Sequence, residues 1–510
     1  MVYLAFIFHM HQPYYRNLLT QEAELPWVRL HGVKDYLDMV QMLKDFPGIK
    51  QTFNVVPSLF EQVEDYANGS TKDKFQEFTL KNSNELSGED KLFLLQNFFS
   101  INKDKVIANF PRYLELYFKK ERGIQLNNQD FLDLQVLFNL AWIDPSFRNS
   151  IPELKNIQNK GRFFSEADKV TILEKQLEIL KQIIPAYRKA QVENNIEISV
   201  TPYYHPILPL LYNTNIAKEA NRKTLLPKVE FAYPKDAAQQ INSAVEFYKE
   251  KFGQMPQGMW PSEEAVSEHI LPFIMQSGIK WIVTDEALLF RSLGKKKRDT
   301  KLLYQPHVIK RDGLQLTIVF RDRNLSDFIG FVYHGMPEAD AVNNFIEHLQ
   351  NIEKSFKGQN TLVTIAMDGE NAWEYYRNDG HDFLNLLYQR IQESPFIKTT
   401  TISEYLKAFP AKSEIKRLSA GSWIYGEFGK WIGNPSKVKC WEWLADARKA
   451  LEQTPEADSL AWKQMRVLEG SDWFWWAGED PDGSFDRLYR MHLVNFYKLI
   501  KKDIPGYLTA

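Results

Sequence analysis

The fold is set by residues 2–13, Val2-Tyr3-Leu4-Ala5-Phe6-Ile7-Phe8-His9-Met10-His11-Gln12-Pro13. The run Val2–Phe8 is rich in aromatic and β-branched side chains, which suit a pleated, half-buried backbone, and it breaks off in a polar cluster. Six further runs of this kind follow: Gln51–Val56, Glu197–Thr201, Gly258–Trp260, Trp281–Thr284, Leu316–Phe320 and Leu362–Met367. Long helical patterns lie between them. Ala237, Ile241, Val245 and Tyr248 recur at helical spacing between Pro234 and Gly253, and Val342, Phe345, Leu349 and Ile352 form a second stripe. Strands alternating with helices predict βα units on a parallel sheet. With no eighth strand visible, the expected fold class is α/β, an incomplete (β/α)7 barrel with a helical insertion and a C-terminal helical domain.

The insertion is expected at about 58–195. It holds a helix over Ser87–Phe99, opened by Ser87 and Asp90 in capping-box register. A second helix begins near Ser165 and carries Leu173, Leu177, Leu180 and Ile184 on one face. Residues 1–410 then form the barrel domain, and the Trp-rich residues 411–510 form the C-terminal domain.

The composition is that of an ordinary globular protein. Of 510 residues, 44% are apolar and 25% charged. The 63 Lys and Arg nearly balance 65 Asp and Glu, for a net charge of −2, so no surplus exists to hold a nucleic acid. Cys440 is the single cysteine, which excludes an intrachain disulfide and a cysteine-based zinc site. The N-terminal run lacks a basic region and a small-residue cleavage site, and no long apolar run follows. A cytoplasmic protein without a membrane partner is therefore expected. Aromatics reach 14%, including 13 Trp, and supply flat faces for large cores or for sugar rings.

Each polar cluster of interest ends a predicted strand, the rim on which βα barrels build their sites. Strand alternation puts His9 and His11 on the face of Ala5 and Ile7, the expected interior. Tyr203 and His205 follow the third strand, Trp260, Glu263 and Glu264 the fourth, Asp285 the fifth, Arg321 the sixth, and Asp368, Glu370 and Trp373 the seventh. Cleavage of a glycosidic bond needs two carboxyl groups with different duties, one protonated to assist the leaving oxygen and one ionised to attack or to activate water. Glu263 and Asp368, at the ends of the fourth and seventh strands, fit that need. Trp260, Tyr203 and Trp373 are candidates to stack on pyranose rings, and His11, His205 and Arg321 to bind hydroxyls.

Plainer readings compete. Most carboxylates are solvated surface; Glu264 and Glu370 read as structural neighbours of the pair. His9 and His11 suit satisfied interior histidines, and Trp473-Phe474-Trp475-Trp476 suits core packing. His9, His11, His205 and Asp285 also form a conceivable zinc set for a metal-dependent carbohydrate enzyme, although neither H-x-x-x-H nor H-E-x-x-H spacing occurs.

Taken together, the motifs resemble glycoside hydrolase family 57. His11-Gln12-Pro13 resembles the family's first region, residues 201–211 its second, and Gly258-Met259-Trp260-Pro261-Ser262-Glu263 its third. Residues 367–373 resemble the fourth, and Gly421-Ser422-Trp423 with Trp431-Ile432-Gly433 the fifth; residues 469–476 recur in one branch of the family. The resemblance implies a catalytic barrel over residues 1–410 and C-terminal aromatics in its cleft. It implies retaining chemistry on an α-glucan, of the amylopullulanase and α-amylase branch, with Glu263 as nucleophile and Asp368 as general acid/base. The expected substrate-binding residues are His9, His11, Gln12, Tyr203, His205, Trp260, Asp285, Arg321, Trp373, Trp423, Trp431, Asp472 and Trp473, with no metal and no organic cofactor. Ala372 stands where that branch commonly has proline, and Glu264 where a smaller residue is usual. The mechanism needs Asp368 protonated, which an ionised Glu263 nearby favours. Alternatives are a 4-α-glucanotransferase or branching enzyme on the same site, a metal-dependent carbohydrate enzyme, and a catalytically silent glucan-binding protein.

Overall fold

The computed structural model describes residues 1–193 and 195–509. Its strands are β1 (Val2–Met10), β2 (Gln51–Val55), β3 (Ile196–Val200), β4 (Gly258–Met259), β5 (Trp281–Asp285), β6 (His307–Arg311), β7 (Leu314–Arg321), β8 (Thr361–Asp368), β9 (Ile397–Thr399) and β10 (Ser413–Glu414). β1, β2, β3, β4, β5, β7 and β8 pair in parallel in that order. The ring closes through Arg321 beside Thr364 and through the full-length pairing of β8 with β1. This is the (β/α)7 barrel expected, and its seven strands are the seven predicted ones.

Three strands escape the sequence reading. β6 folds back antiparallel on β7 across Asp312-Gly313, both with positive φ (51° and 77°), a two-residue turn of the kind Asp-Gly favours. β10 pairs in parallel with the first residues of β6, and β9 with the first residues of β1.

Alternation along β1 sorts the core. Val2, Leu4, Phe6, Phe8 and Met10 face the surrounding helices, while Ala5 and Ile7 join Trp260, Trp281, Val283, Val319 and Ala366 inside the barrel. Helix Ile402–Ala408 closes the floor, with Tyr405 edge-on to Tyr3 at 5.3 Å. Gly258 permits this filling: a Cβ there would lie 2.0 Å from the Trp281 ring.

Between β2 and β3 the described chain is helical. Ser87 caps helix Gly88–Asn97 in the expected capping box. Helix Glu166–Leu180 buries Lys169, Ile172, Gln176, Ile179 and, from the expected stripe, Leu180, whereas Leu173 and Leu177 are only half-buried and Ile184 lies on the next helix. Polar contacts choose that face: Gln176 accepts from Arg29 at 2.7 Å, and Lys169 donates to the Lys81 carbonyl at 2.8 Å. Beyond the barrel, helices Pro435–Glu452, Ser459–Leu468, Ser471–Trp476 and Ser484–Leu499 pack together. The first residue of the third is drawn to the barrel mouth, where the Ser471 N–H donates to the His205 carbonyl at 3.0 Å. Among the described residues no helix is long and apolar enough to cross a membrane.

Candidate active site

Strand register assembles the centre of the mouth. His9 stands directly opposite Asn54 of β2 on one side and Asp368 of β8 on the other. Asp368 is the last residue of its strand and is half-buried. Glu263 sits on the turn after β4 with φ 58° and ψ 26°, and Glu264 follows with φ 50°. Two successive side-chain-bearing residues in the left-handed region cost backbone energy that surrounding bonds must offset. Thr284 Oγ1 donates to the Glu264 carbonyl at 2.7 Å, and the Trp423 N–H donates to that of Glu263 at 3.2 Å.

The Trp423 indole also donates to Glu263 Oε2 at 2.8 Å. Burial first, and then the charges of Asp368 and Asp472, push the Glu263 carboxyl up to about 8, against hydrogen bonds from Trp423 and Ser471. Burial raises Asp368 as well, while Asn371, His11 and Arg321 oppose the rise. The pair thus favours holding one proton. His11 and Arg321 partly balance the Asp368 charge.

The histidines form a connected group. His9 Nδ1 lies 2.6 Å from Asn54 Oδ1, His9 Nε2 lies 3.0 Å from His205 Nε2, and His205 Nδ1 lies 2.8 Å from Ser471 Oγ. Burial and the neighbouring imidazoles lower His9 to about 3 and His205 well below its ordinary value, so both are neutral. His11 stacks on His205 at 3.8 Å and bonds Asp472 through Nε2 at 3.0 Å. Trp260 stacks on His9 at 4.8 Å and meets Trp423 edge-on at 5.4 Å.

Other expected binding residues are committed elsewhere. Tyr203 donates to Glu61 at 2.9 Å, in a cluster with Tyr14 and Tyr204. Trp373 is buried and donates to the Gly369 carbonyl at 2.7 Å; Trp473 is buried and donates to that of Val467 at 2.7 Å. Trp431 is core, and its carbonyl accepts from Trp441 at 3.1 Å. Tyr203, Trp373 and Trp473 fill the interior because their O–H or N–H groups find partners there, whereas the Trp431 indole N–H is buried without one. Gln12 is buried and donates to Glu370 at 3.3 Å. Asp285 is buried between Arg321 and Arg323, and the Arg321 guanidinium lies over the Trp423 ring at 5.2 Å. Glu264 and Glu370 are fully enclosed, and burial raises both well above the carboxylate range. Glu264 is thus a neutral neighbour that does not repel Glu263 by charge.

The sequence reading missed Asn54 and Ser471. An Asn inside the otherwise buried strand Gln51-Thr52-Phe53-Asn54-Val55 is the signal for the first, since Asn is depleted in strands. Nothing local marks Ser471. Of the residues weighed for zinc, His9, His205 and Asp285 spend their ligand atoms on one another, on Asn54 and Ser471, and on arginines, while His11 bonds Asp472 through Nε2 and leaves Nδ1 buried without a partner. Among the described residues Asp38, Asp144 and His381 bring metal-capable atoms within 4.8 Å of one another. There, despite burial, the hydrogen bond to Asp144 and the charges of Asp144 and Asp38 raise His381 to about 9.

Known proteins share this architecture. The structure of a GH57-type branching enzyme from Pyrococcus horikoshii matches 98% of this chain and 89% of its own, with a TM-score of 0.61 at 18% identity. That of the alpha-amylase AmyC from Thermotoga maritima matches 98% and 93%, with a TM-score of 0.62 at 13% identity. Such distant likenesses speak for the fold. In sequence, "Alpha-amylase 1" of Dictyoglomus thermophilum is 25% identical over 260 residues, which cover 50% of this chain but 32% of that protein. The chain thus spans about a third of the length of the curated relative it matches. The family model for glycosyl hydrolase family 57 matches residues 5–417, a stretch that carries both Glu263 and Asp368, and the chain belongs to that family.

Proposed function

We propose that the protein is a retaining α-glucan-active glycosidase of the α-amylase type, with Glu263 as nucleophile and Asp368 as general acid/base. The observation that carries this reading is the pairing of two half-buried carboxyl groups at one barrel mouth, close enough for the Asp368 charge to raise Glu263. The α-glucan substrate is proposed from the activities named for the relatives, two of them alpha-amylases.

A Glu263 oxygen attacks the anomeric carbon as the glycosidic C–O bond breaks, and Asp368 passes its proton to the departing oxygen. Water, or a hydroxyl of a second sugar, then attacks the same carbon while Asp368 takes its proton, and the carboxylate of Glu263 leaves. Before attack the shared proton must sit on Asp368. The Trp423 N–H, aimed at Glu263 Oε2, favours the ionised nucleophile. His11, Asp472 and Arg321 are proposed to contact the reacting sugar, and Trp260 acts from below by packing on His9 and Trp423.

Incubation with amylose, pullulan and maltotriose, with products separated by chromatography and their initial anomeric configuration read by NMR, tests this. Shorter α-anomeric products support retaining hydrolysis. Longer or branched products assign transfer to a sugar acceptor, and inverted products overturn the nucleophile role. Binding with no product leaves a silent glucan-binding protein.

A further inference from the structure

Away from Glu263 and Asp368, side chains from three parts of the chain converge on one point. Asp38 stands on helix Leu37–Met42, which follows β1 and the π-helical turn Gly32–Tyr36. Asp144 caps helix Pro145–Ser150 of the helical insertion. His381 opens helix His381–Glu393, at the end of the connection that leaves Asp368. A strained stretch of backbone delivers it. Asn378, Asp379 and Gly380 are all left-handed, with φ of 46°, 56° and 81°, and Lys34 holds Asp379 in place.

His381 Nε2 lies 3.0 Å from Asp144 Oδ2 and 3.6 Å from Asp38 Oδ2. Ligand atoms held about 2.0–2.2 Å from a tetrahedral ion are themselves about 3.3–3.6 Å apart, close to this spacing. An ion pair between His381 and Asp144 accounts for the first contact but not for Asp38, which is only 7% exposed. Among the described residues the one hydrogen bond drawn by Asp38 comes from Ser146 Oγ to Oδ1, at 3.3 Å. Ser146 has a single hydroxyl proton, and Asp144 Oδ1 is its nearer acceptor. Asp38 Oδ2 thus faces His381 with no donor of its own, a costly state for a buried carboxyl group. Nearby cations are committed elsewhere: Lys34 to Asp35 and Asp379, and Arg148 to the Leu140 and Ala141 carbonyls. We propose that Asp38, Asp144 and His381 form a site for a divalent transition-metal ion such as Zn²⁺, bound through the two Oδ2 atoms and Nε2. The imidazole nitrogen favours such an ion over Ca²⁺ or Mg²⁺, which take oxygen ligands. On binding, Nε2 releases its proton to solvent and offers the ion its lone pair. The ion clips the insertion and the connection from Asp368 to the helix after β1.

Turnover plays no part in the test, so the outcome does not depend on the glycosidase reading. The full chain, without a histidine tag and stripped by a chelator, is dialysed near neutral pH against micromolar Zn²⁺ and, separately, Co²⁺. The expected result is one Zn²⁺ bound per chain by metal analysis, a higher melting temperature than the stripped protein, and a visible Co²⁺ absorption band. Asp38→Asn keeps the His381–Asp144 contact and removes one ligand charge. It is expected to fold and to bind Zn²⁺ more weakly by a larger factor than the roughly 10–100-fold that losing an outer partner of a ligand costs. His381→Gln is expected to lose the ion as well, and carries the comparison if Asp38→Asn does not fold. An unaltered protein that takes up no Zn²⁺, equal Zn²⁺ affinity in the variants, or displacement of Zn²⁺ by equimolar Ca²⁺ overturns the assignment.

Discussion

Trp423 and Glu263, 160 positions apart, are joined by an indole N–H donated to Oε2 at 2.8 Å. The same indole meets Trp260 edge-on and lies beneath Arg321, so its plane is fixed by two barrel residues. Trp423→Phe keeps most of the ring and removes the donor. Loss of a hydrogen bond to a charged group, worth about 1.5–3 kcal/mol, is expected to lower kcat/KM roughly ten- to hundred-fold and to raise the acidic limb of its pH profile. Kinetics on a maltooligosaccharide check both, and an unchanged Trp423→Phe enzyme counts against the contact.

Glu263 also sets a cost in stability. Its carboxyl is raised from 4.5 to about 8 in the folded protein. An unfolded chain therefore releases this proton first, and stability falls as pH rises from about 4.5 through about 8. Glu263→Gln removes the titration. Its melting temperature is expected to match that of the unaltered protein near pH 4 and to exceed it by a growing margin toward pH 8, with turnover abolished throughout. Thermal unfolding across that range is the measurement, and a margin that does not widen with pH contradicts the assigned shift.

His11 is half-buried between the stacked His205 ring and Asp472, with Nδ1 buried and lacking a partner. A buried nitrogen in that state at a cleft suits a bond completed by substrate. His11→Ala and Asp472→Asn are expected to lower kcat/KM by about ten-fold or more, the scale of one polar contact. Neither should abolish turnover, because neither carries the proposed covalent step. Unchanged kinetics in His11→Ala would demote the ring to packing.

The barrel was legible because each of its strands is a short apolar run ending in polar residues, and that pattern is local. The hairpin strand β6 was not recognised, although Asp312-Gly313 marks it, because a barrel of alternating βα units leaves no place for an antiparallel partner. The carboxyl pair was legible from strand ends alone. The aromatics were not, since Trp373 and Trp473 differ from Trp423 only in where their N–H groups find partners, and Trp431 in being buried without one, which are properties of the packed chain. Helix Glu166–Leu180 makes the same point: Leu173 and Leu177 lost the buried face to Gln176, whose amide is needed by Arg29.

Gly258 offers a test of how far the barrel interior constrains the turn that carries Glu263. A Cβ at this position would lie 2.0 and 2.1 Å from two carbons of the Trp281 ring. The indole cannot swing aside freely, since its N–H is held by Glu197 at 3.0 Å and Ser403 Oγ at 3.1 Å. Gly258→Ala is therefore expected to destabilise by about 1–3 kcal/mol or more, the range for overpacking a core, measured by denaturant unfolding. Because β4 holds only Gly258 and Met259 before the chain turns toward Glu263, the displaced backbone should also lower kcat more than it raises KM. Trp281→Leu in the same chain opens the space and should recover part of both losses. A Gly258→Ala protein as stable and active as the parent would mean that Trp281 does not hold β4 in place.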